Sequence, residues 1–309
     1  MFQKVNNKIL GAIFTVLLLL GLFLFLFEGG KKERTFRQVL VDIDTTKVTE
    51  ILIYPKSQNH SEVKLFKDKD EWRVTLPSGG NAKMAEGRIN SLFTQLLEIK
   101  PKRLAARDES KWNELQVDST GSRVKVYQDT KLVLDLVIGR FSFQQPRTMN
   151  TFVRLFNDTD VYEVDGFLDM TFNQGANTFR DGTVIKSDYN TLQNLQFTYP
   201  ADSSFQLTKS GNKWLLNNQP VDSAKTANYL TRLANLTNNS FADEVTVSAN
   251  LTPTYSLSIT TQDLQFIEIK GYKDTTSYFI YSSQNHETWF DGSSLSNNIF
   301  VGKSAFLSK

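Results

Sequence analysis

Val48-Thr49-Glu50-Ile51-Leu52-Ile53-Tyr54-Pro55 returns later in the chain as Leu192-Gln193-Asn194-Leu195-Gln196-Phe197-Thr198-Tyr199-Pro200. Val48, Ile51 and Ile53 match Leu192, Leu195 and Phe197, and each run closes on Tyr-Pro. Working outward, Phe36-Arg37 upstream matches Phe179-Arg180, and Trp72 downstream matches Trp214. Further on, the run from Val161 to Asp165-Gly166 finds its echo in the run from Glu287 to Asp291-Gly292. A self-similar order of this length predicts one domain written twice. The residues that repeat are apolar or turn-forming, which is the pattern of a scaffold. Chemistry carried by both copies would repeat polar groups instead.

The expected fold class is α+β: an N-terminal transmembrane helix, then two tandem copies of an antiparallel-sheet-plus-helix domain. In the first copy, strands are predicted at Val48–Tyr54, Glu62–Lys67 and Trp72–Leu76. Pro77-Ser78-Gly79-Gly80 is read as the end of that sheet, with Asn81 capping a helix. The helix presents Ala85, Ile89, Leu92, Phe93, Leu96 and Leu97 as one apolar stripe and ends at Lys100-Pro101. After an irregular stretch through Trp112 and Leu115, strands resume at Arg123–Tyr127, Leu132–Ile138, Thr151–Phe156 and Asp160–Val164. The second copy repeats the plan at Leu192–Tyr199, Phe205–Lys209 and Trp214–Leu216. There Asp222 caps a helix carrying Ala227, Leu230, Leu233, Ala234 and Leu236. Strands then follow at Tyr255–Thr260, Leu264–Gly271, Ser277–Tyr281 and Glu287–Phe290. The expected bounds are 36–167 for the first domain, 168–178 for the joint and 179–309 for the second domain.

The chain has 309 residues, 40% of them hydrophobic, enough for two packed cores. A net charge of +2 offers no field to attract nucleic acid. Cysteine is absent, which removes disulfides, thiolate metal sites and a thiol nucleophile. Ile9 to Phe27 carries no charge. As a helix it reaches about 28 Å, close to the hydrocarbon thickness of a bilayer. It lacks the small-residue exit of a cleaved signal peptide, so an uncleaved span at 9–27 is expected. Residues 1–8 then form a cytoplasmic tail and 28–35 a tether. Charge counting alone slightly favours the body in the cytoplasm, since Lys31, Lys32, Arg34 and Arg37 follow the span. The short tail before a signal-like run favours export, and we take the body as extracytoplasmic, on the inner membrane.

Several motifs invite a chemical reading. Asp42-Ile43-Asp44-Thr45-Thr46 after an apolar run resembles the nucleophile motif of haloacid-dehalogenase-type phosphatases, in which the first carboxylate attacks phosphorus. No later acidic Mg²⁺ site follows it, and the second copy has Lys186-Ser187-Asp188 there, so a polar turn before the first strand is expected. Gly302-Lys303-Ser304 lacks the upstream glycine of a phosphate loop. His60 and His286 are the only histidines, and both fall in predicted turns. Trp72 and Trp214, placed alike in the two copies, read as core. No catalytic residue, cofactor or metal site is expected.

The candidate interaction surface lies in what the copies do not share. Lys100, Lys102, Arg103 and Arg107 form a basic cluster at the expected helix end, suited to anionic headgroups or an acidic partner. Phe141 and Phe143, with Arg147 nearby, are expected in an unmatched loop. Trp112 joins them as a contact aromatic.

The span, the strand pair leading to Trp72, the amphipathic helix, Trp112 to Leu115, Ile138-Gly139, Phe152-Val153-Arg154 and Val161-Tyr162-x-Val164 resemble a bacterial family of unknown function. Its members are often encoded beside, or fused to, auxiliary subunits of gliding-motility-type ABC transporters. The resemblance implies an envelope protein facing outward from the cytoplasmic membrane, associated with a transporter; it carries over no catalytic residue. The leading expectation is a non-enzymatic accessory or scaffold protein of a membrane complex. The alternatives are a glycan- or peptide-binding module with a site between the repeats near Trp112, Phe141 and Phe143, and a hydrolase around Asp42 and Asp44. Oligomeric state is left open.

Overall fold

The computed structural model describes residues 11, 13–20, 37–145, 148–243, 252–273 and 277–308. Of the expected span 9–27, residues 11 and 13–20 are helical and exposed, and the remainder lies outside the described residues, as do the tail 1–8 and the tether 28–35. Among the described residues no helix is long and apolar enough to cross a membrane.

From Val41 onward the chain is mixed α+β, built on two large antiparallel sheets. The first half contains β1 (Glu50–Tyr54), β2 (Val63–Asp68), β3 (Glu71–Thr75), β4 (Asn81–Lys83) and α1 (Arg88–Leu97). β5 (Pro101–Ala106), α2 (Trp112–Leu115), β6 (Ser122–Gln128), β7 (Lys131–Gln144), β8 (Thr148–Leu155) and β9 (Val161–Asp165) follow. The sheet order is β4-β3-β2-β1-β6-β7-β8-β9-β5. The second half contains β10 (Thr183–Lys186), β11 (Leu192–Thr198), β12 (Phe205–Ser210), β13 (Lys213–Leu216) and β14 (Gln219–Pro220). After α4 (Ser223–Ala234), which follows a short α3 (Asp169–Phe172) at the joint, come β15 (Asn235–Thr237), β16 (Tyr255–Thr261), β17 (Phe266–Lys273), β18 (Tyr278–Ser282) and β19 (Trp289–Asp291). Its large sheet runs β14-β13-β12-β11-β16-β17-β18-β19, while β10 and β15 pair apart. Leaving out β5, the two large sheets have the same order.

The register agrees as well as the order. Lys67 faces Trp72 across β2 and β3, and Lys209 faces Trp214 across β12 and β13. Ile51 and Ile53 face Val126 and Val124 just as Leu195 and Phe197 face Ile259 and Leu257. These alternate residues are fully buried, as the two-residue period of a strand with one face on a core requires. α1 adds Leu92, Phe93 and Leu96 to the first core, and α4 adds Tyr229, Leu230 and Leu233 to the second. Each side chain so buried contributes about 1.5–3 kcal/mol.

The turns before the first strand of each half are also alike. Asp44 accepts from Thr46 N–H at the start of a 3₁₀ turn, and Asp188 accepts from Asn190 N–H at the start of another. The Asp-x-Asp run is thus a capped polar turn. Each large sheet ends in a helix and a 3₁₀ turn that close on a buried phenylalanine. After β9 these are α3 and Ala176–Thr178, with Phe179; after β19 they are α5 (Gly292–Ile299) and Lys303–Phe306, with Phe306. The Phe179 carbonyl accepts from Ala85 N–H at 3.0 Å, and the Phe306 carbonyl accepts from Asp222 N–H at 2.8 Å. Leu168, Phe172 and Ala176 are buried, so the joint 168–178 is a packed segment.

Five local expectations are corrected. Residues 81–83 form β4, because Gly79 and Gly80, both at positive φ, turn the chain back onto β3 instead of ending the sheet. The helix therefore starts at Arg88, after Gly87 at φ +72°, and Ala85 lies outside it. Pro101–Ala106 is an edge strand paired with β9. β7 runs on to Gln144 through an irregularity after Ile138 and carries Phe141 and Phe143 in a strand. Leu236 belongs to β15, and α5 was not anticipated.

Candidate functional site

Lys102 lies on β5, and its ammonium donates to Asp165 Oδ1 at 2.8 Å. Arg103 pairs with Glu163, whose other oxygen accepts from Asn150 Nδ2 at 2.7 Å. Lys100 and Arg107 are exposed and form no ion pair among the described residues. The basic cluster is thus an edge strand half neutralised by β9, and no helix end lies within it. Phe141 and Phe143 alternate on β7 and face Thr151 and Met149. At 48%, 56% and 46% exposure, Phe141, Phe143 and Met149 form an apolar strip, with Phe167 edge-on to Phe141 at 4.8 Å. Ser142, Asn150 and Asp165 are register partners on the opposite face, where Lys102 reaches Asn150 and Asp165. The structure places the cations and the phenylalanines on two faces of one sheet. Arg147 lies outside the described residues.

Trp112 belongs to neither face. Its indole N–H donates to the Thr159 carbonyl at 3.2 Å, and the Arg154 guanidinium stacks on its ring at 3.7 Å. It packs against Leu115, Val117, Val137, Phe152 and Val161, the second small core of the first half. The segments that carried the family resemblance meet here. A Cβ on Gly139 would run into the Leu115 carbonyl and would lie 2.7 Å from Val117 Cγ1. Glycine is what lets the 115–117 backbone cross the sheet. Trp112 is a structural residue.

Where the two halves meet, the structure has a cleft of about 1150 Å³. Trp112, Phe141 and Phe143 do not line it, so the expectation of an aromatic site between the repeats at those residues is corrected. The first half contributes Trp72 on β3, Lys83 to Ala85 at and after the end of β4, and Glu86 to Ile89 at the start of α1. The second half contributes Thr178, Arg180 to Thr183, Ile185 and Lys186 on and before β10, and Asn235, Thr237 and Asn239 along β15 and just beyond.

The floor of this cleft is a backbone seam. Met84 bridges Arg180, Ala85 N–H donates to the Phe179 carbonyl and Asp181 N–H donates to the Lys83 carbonyl at 2.8 Å. Two ion pairs cross the seam, Arg73 with Glu287 and Lys186 with Glu86, each at 2.5 Å. Hydrogen bonds from Lys186 and from Lys83 hold Glu86 and Glu71 below the ordinary carboxylate range. Arg180 is 3% exposed, stacks on Phe241 at 3.7 Å and pairs with Asp243 at 2.7 Å. Trp72 is half-buried and held edge-on by Phe93 at 5.9 Å. Trp214, its counterpart, packs on the second core.

Residues 72–258 match the model of a family described as a domain of unknown function, DUF4340. The chain belongs to the DUF4340 family. No curated protein and no solved structure matches it. The DUF4340 stretch begins at Trp72 and ends at Ser258 within β16, so it takes in the backbone hydrogen bonds of the seam and most of the cleft lining, while Glu287 and Gln284 lie beyond it. Elsewhere in this DUF4340 protein, His60 Nε2 lies 3.0 Å from the Gly121 carbonyl, and His286 sits exposed in a turn. Among the described residues no three metal-type ligands gather. The sequence allows a site between the repeats but does not mark these lining residues, because the walls come from segments far apart in the chain. The one local signal was the repeat itself: Phe179-Arg180 both closes the first half and opens the second.

Proposed function

We propose that this DUF4340 protein is a non-enzymatic, membrane-anchored scaffold with its body outside the cytoplasmic membrane. Residues 9–27 hold it in the bilayer, and the two sheets, bounded near 36–167 and 179–309, stand together as one presenting surface for a membrane complex. The observation that carries this reading is the seam: two sheets of the same design are joined by backbone hydrogen bonds and crossing ion pairs instead of a free linker. What repeats between them is core, register and capping. The exposed Phe141, Phe143 and Met149 strip and the free Lys100 and Arg107 supply contact chemistry outside the seam.

An ABC transporter is the complex to which the family resemblance points. Cross-linking in intact cells followed by purification in mild detergent tests it, with a stoichiometric membrane-protein partner as the expected result. Consistent recovery of the protein alone overturns the scaffold reading. External protease applied to spheroplasts is expected to cleave the body, and protection overturns the orientation.

A further inference from the structure

In the first half the strand after the helix, β5, joins the main sheet beside β9. In the second half the strand in the same place, β15, leaves the main sheet and pairs with β10. That divergence builds one wall of the cleft. A property the copies do not share belongs where they differ, and here the difference opens a cavity.

Asn235 and Thr237 alternate with Leu236 along β15, and Asn239 continues the wall. Alternation sets Asn235 and Thr237 on one face, about 6.6 Å apart, while Leu236 packs on the second core. All three polar side chains are exposed and make no hydrogen bond among the described residues. On the first half's side stands Trp72, pinned by Phe93.

The charges around this cavity balance. Lys83, Arg88, Arg180 and Lys186 line it, and so do four carboxylates, giving no net charge. Three of those cations already hold a carboxylate. A charged ligand needs an unbalanced field, and an apolar one needs an apolar wall. The outer edge of β10 is covered against an added strand. Lys186 N–H donates to Gln284 Oε1 at 2.7 Å, Asn285 Nδ2 donates to the Asp181 carbonyl at 2.8 Å, and Ser282 Oγ donates to the Val184 carbonyl at 2.6 Å. What remains is uncharged amides and a hydroxyl facing an indole, which suits a neutral polyhydroxylated molecule. Its hydroxyls exchange hydrogen bonds with the amides, and a ring face lies on the tryptophan. The volume exceeds the range of about 300–1,000 Å³ common for small-molecule sites, so more than one ring fits.

We infer that the cleft between the halves is a saccharide-binding site, with Trp72 as its stacking face and Asn235, Thr237 and Asn239 as its hydrogen-bonding wall. The full-length protein in detergent micelles is titrated with neutral tetrasaccharides (chitotetraose, cellotetraose and maltotetraose) by calorimetry and ligand-observed NMR. At least one should saturate at millimolar concentration or below. Asn235→Ala combined with Asn239→Ala, and separately Trp72→Ala, should each weaken it about tenfold. Phe141→Ala should leave it unchanged. The asparagines are exposed, so their variant keeps the test valid if Trp72→Ala fails to fold. Saturation by none of the three sugars, equal affinity in the asparagine variant, or binding of tetra-alanine in their place overturns the proposal. Partner capture and sugar binding are read separately, so either can fail alone.

Discussion

Arg154 is 4% exposed, and its guanidinium serves backbone rather than ligand. Nε donates to the Val117 carbonyl at 2.9 Å, and Nη1 donates to the carbonyls of Phe156 at 2.7 Å and Asp158 at 3.0 Å. Burial lowers its pKa below the ordinary arginine value. Replacing it with methionine keeps apolar volume but strands three acceptors, each costing about 1–3 kcal/mol when left unpaired. Arg154→Met is therefore expected to lose about 3 kcal/mol in urea unfolding; a loss below about 1 kcal/mol would show that water satisfies those carbonyls. The same residue explains why Trp112 reads as a contact residue in the sequence and packs on a small core in the structure. A lone tryptophan in a polar stretch looks like a contact residue, and the cation that stacks on it lies 3.7 Å away in space but comes from β8, far along the chain. Asp44 was legible by contrast, because its partner, Thr46, is two residues along.

The two main helices show where local signals suffice. Asp222 precedes α4 and accepts from Lys225 N–H at 3.0 Å, as its position before an apolar run predicts. Asp222→Ala should cost about 1 kcal/mol, read as a shift of the urea midpoint at constant slope. No shift would mean that the backbone bond from Asp222 N–H to the Phe306 carbonyl carries the cap alone. α1 has no side-chain cap and starts after Gly87 in a left-handed conformation, so Asn81 drew the boundary too early. The strands after the helices were harder still. Pro101–Ala106 and Asn235–Thr237 occupy the same place in their copies, yet one joins the main sheet and the other joins β10. Pairing across the chain decides between those outcomes, and neither segment's own pattern encodes it.

Across the whole molecule the repeat was readable because burial repeats every two residues in strands that face one core, Ile51 and Ile53 matching Leu195 and Phe197. The seam was not, since it joins Lys83–Ala85 to Phe179–Asp181 and rests partly on an ion pair between exposed chains, Lys186 and Glu86. That pair makes the joint pH-dependent in a definite direction. Glu86 titrates below its ordinary value of 4.5 in the folded protein because Lys186 donates to it. Its contribution is thus complete above that value and is lost as the pH falls through the lowered folded one. Lys186 is raised above its ordinary 10.5 by the same bond, so its share is complete below that value and fades as the pH rises through the raised one. Between those limits the pair should hold, weakly, because both side chains are exposed and salt screens them. Comparing wild type with Glu86→Gln by urea unfolding across the acid range isolates the effect. The difference in midpoint should be present near neutral pH, shrink to nothing in acid below the folded glutamate value, and flatten in high salt. A difference that persists in acid would mean the glutamine variant loses packing or backbone order at the seam. In that case charge is not what ties the second half to the first.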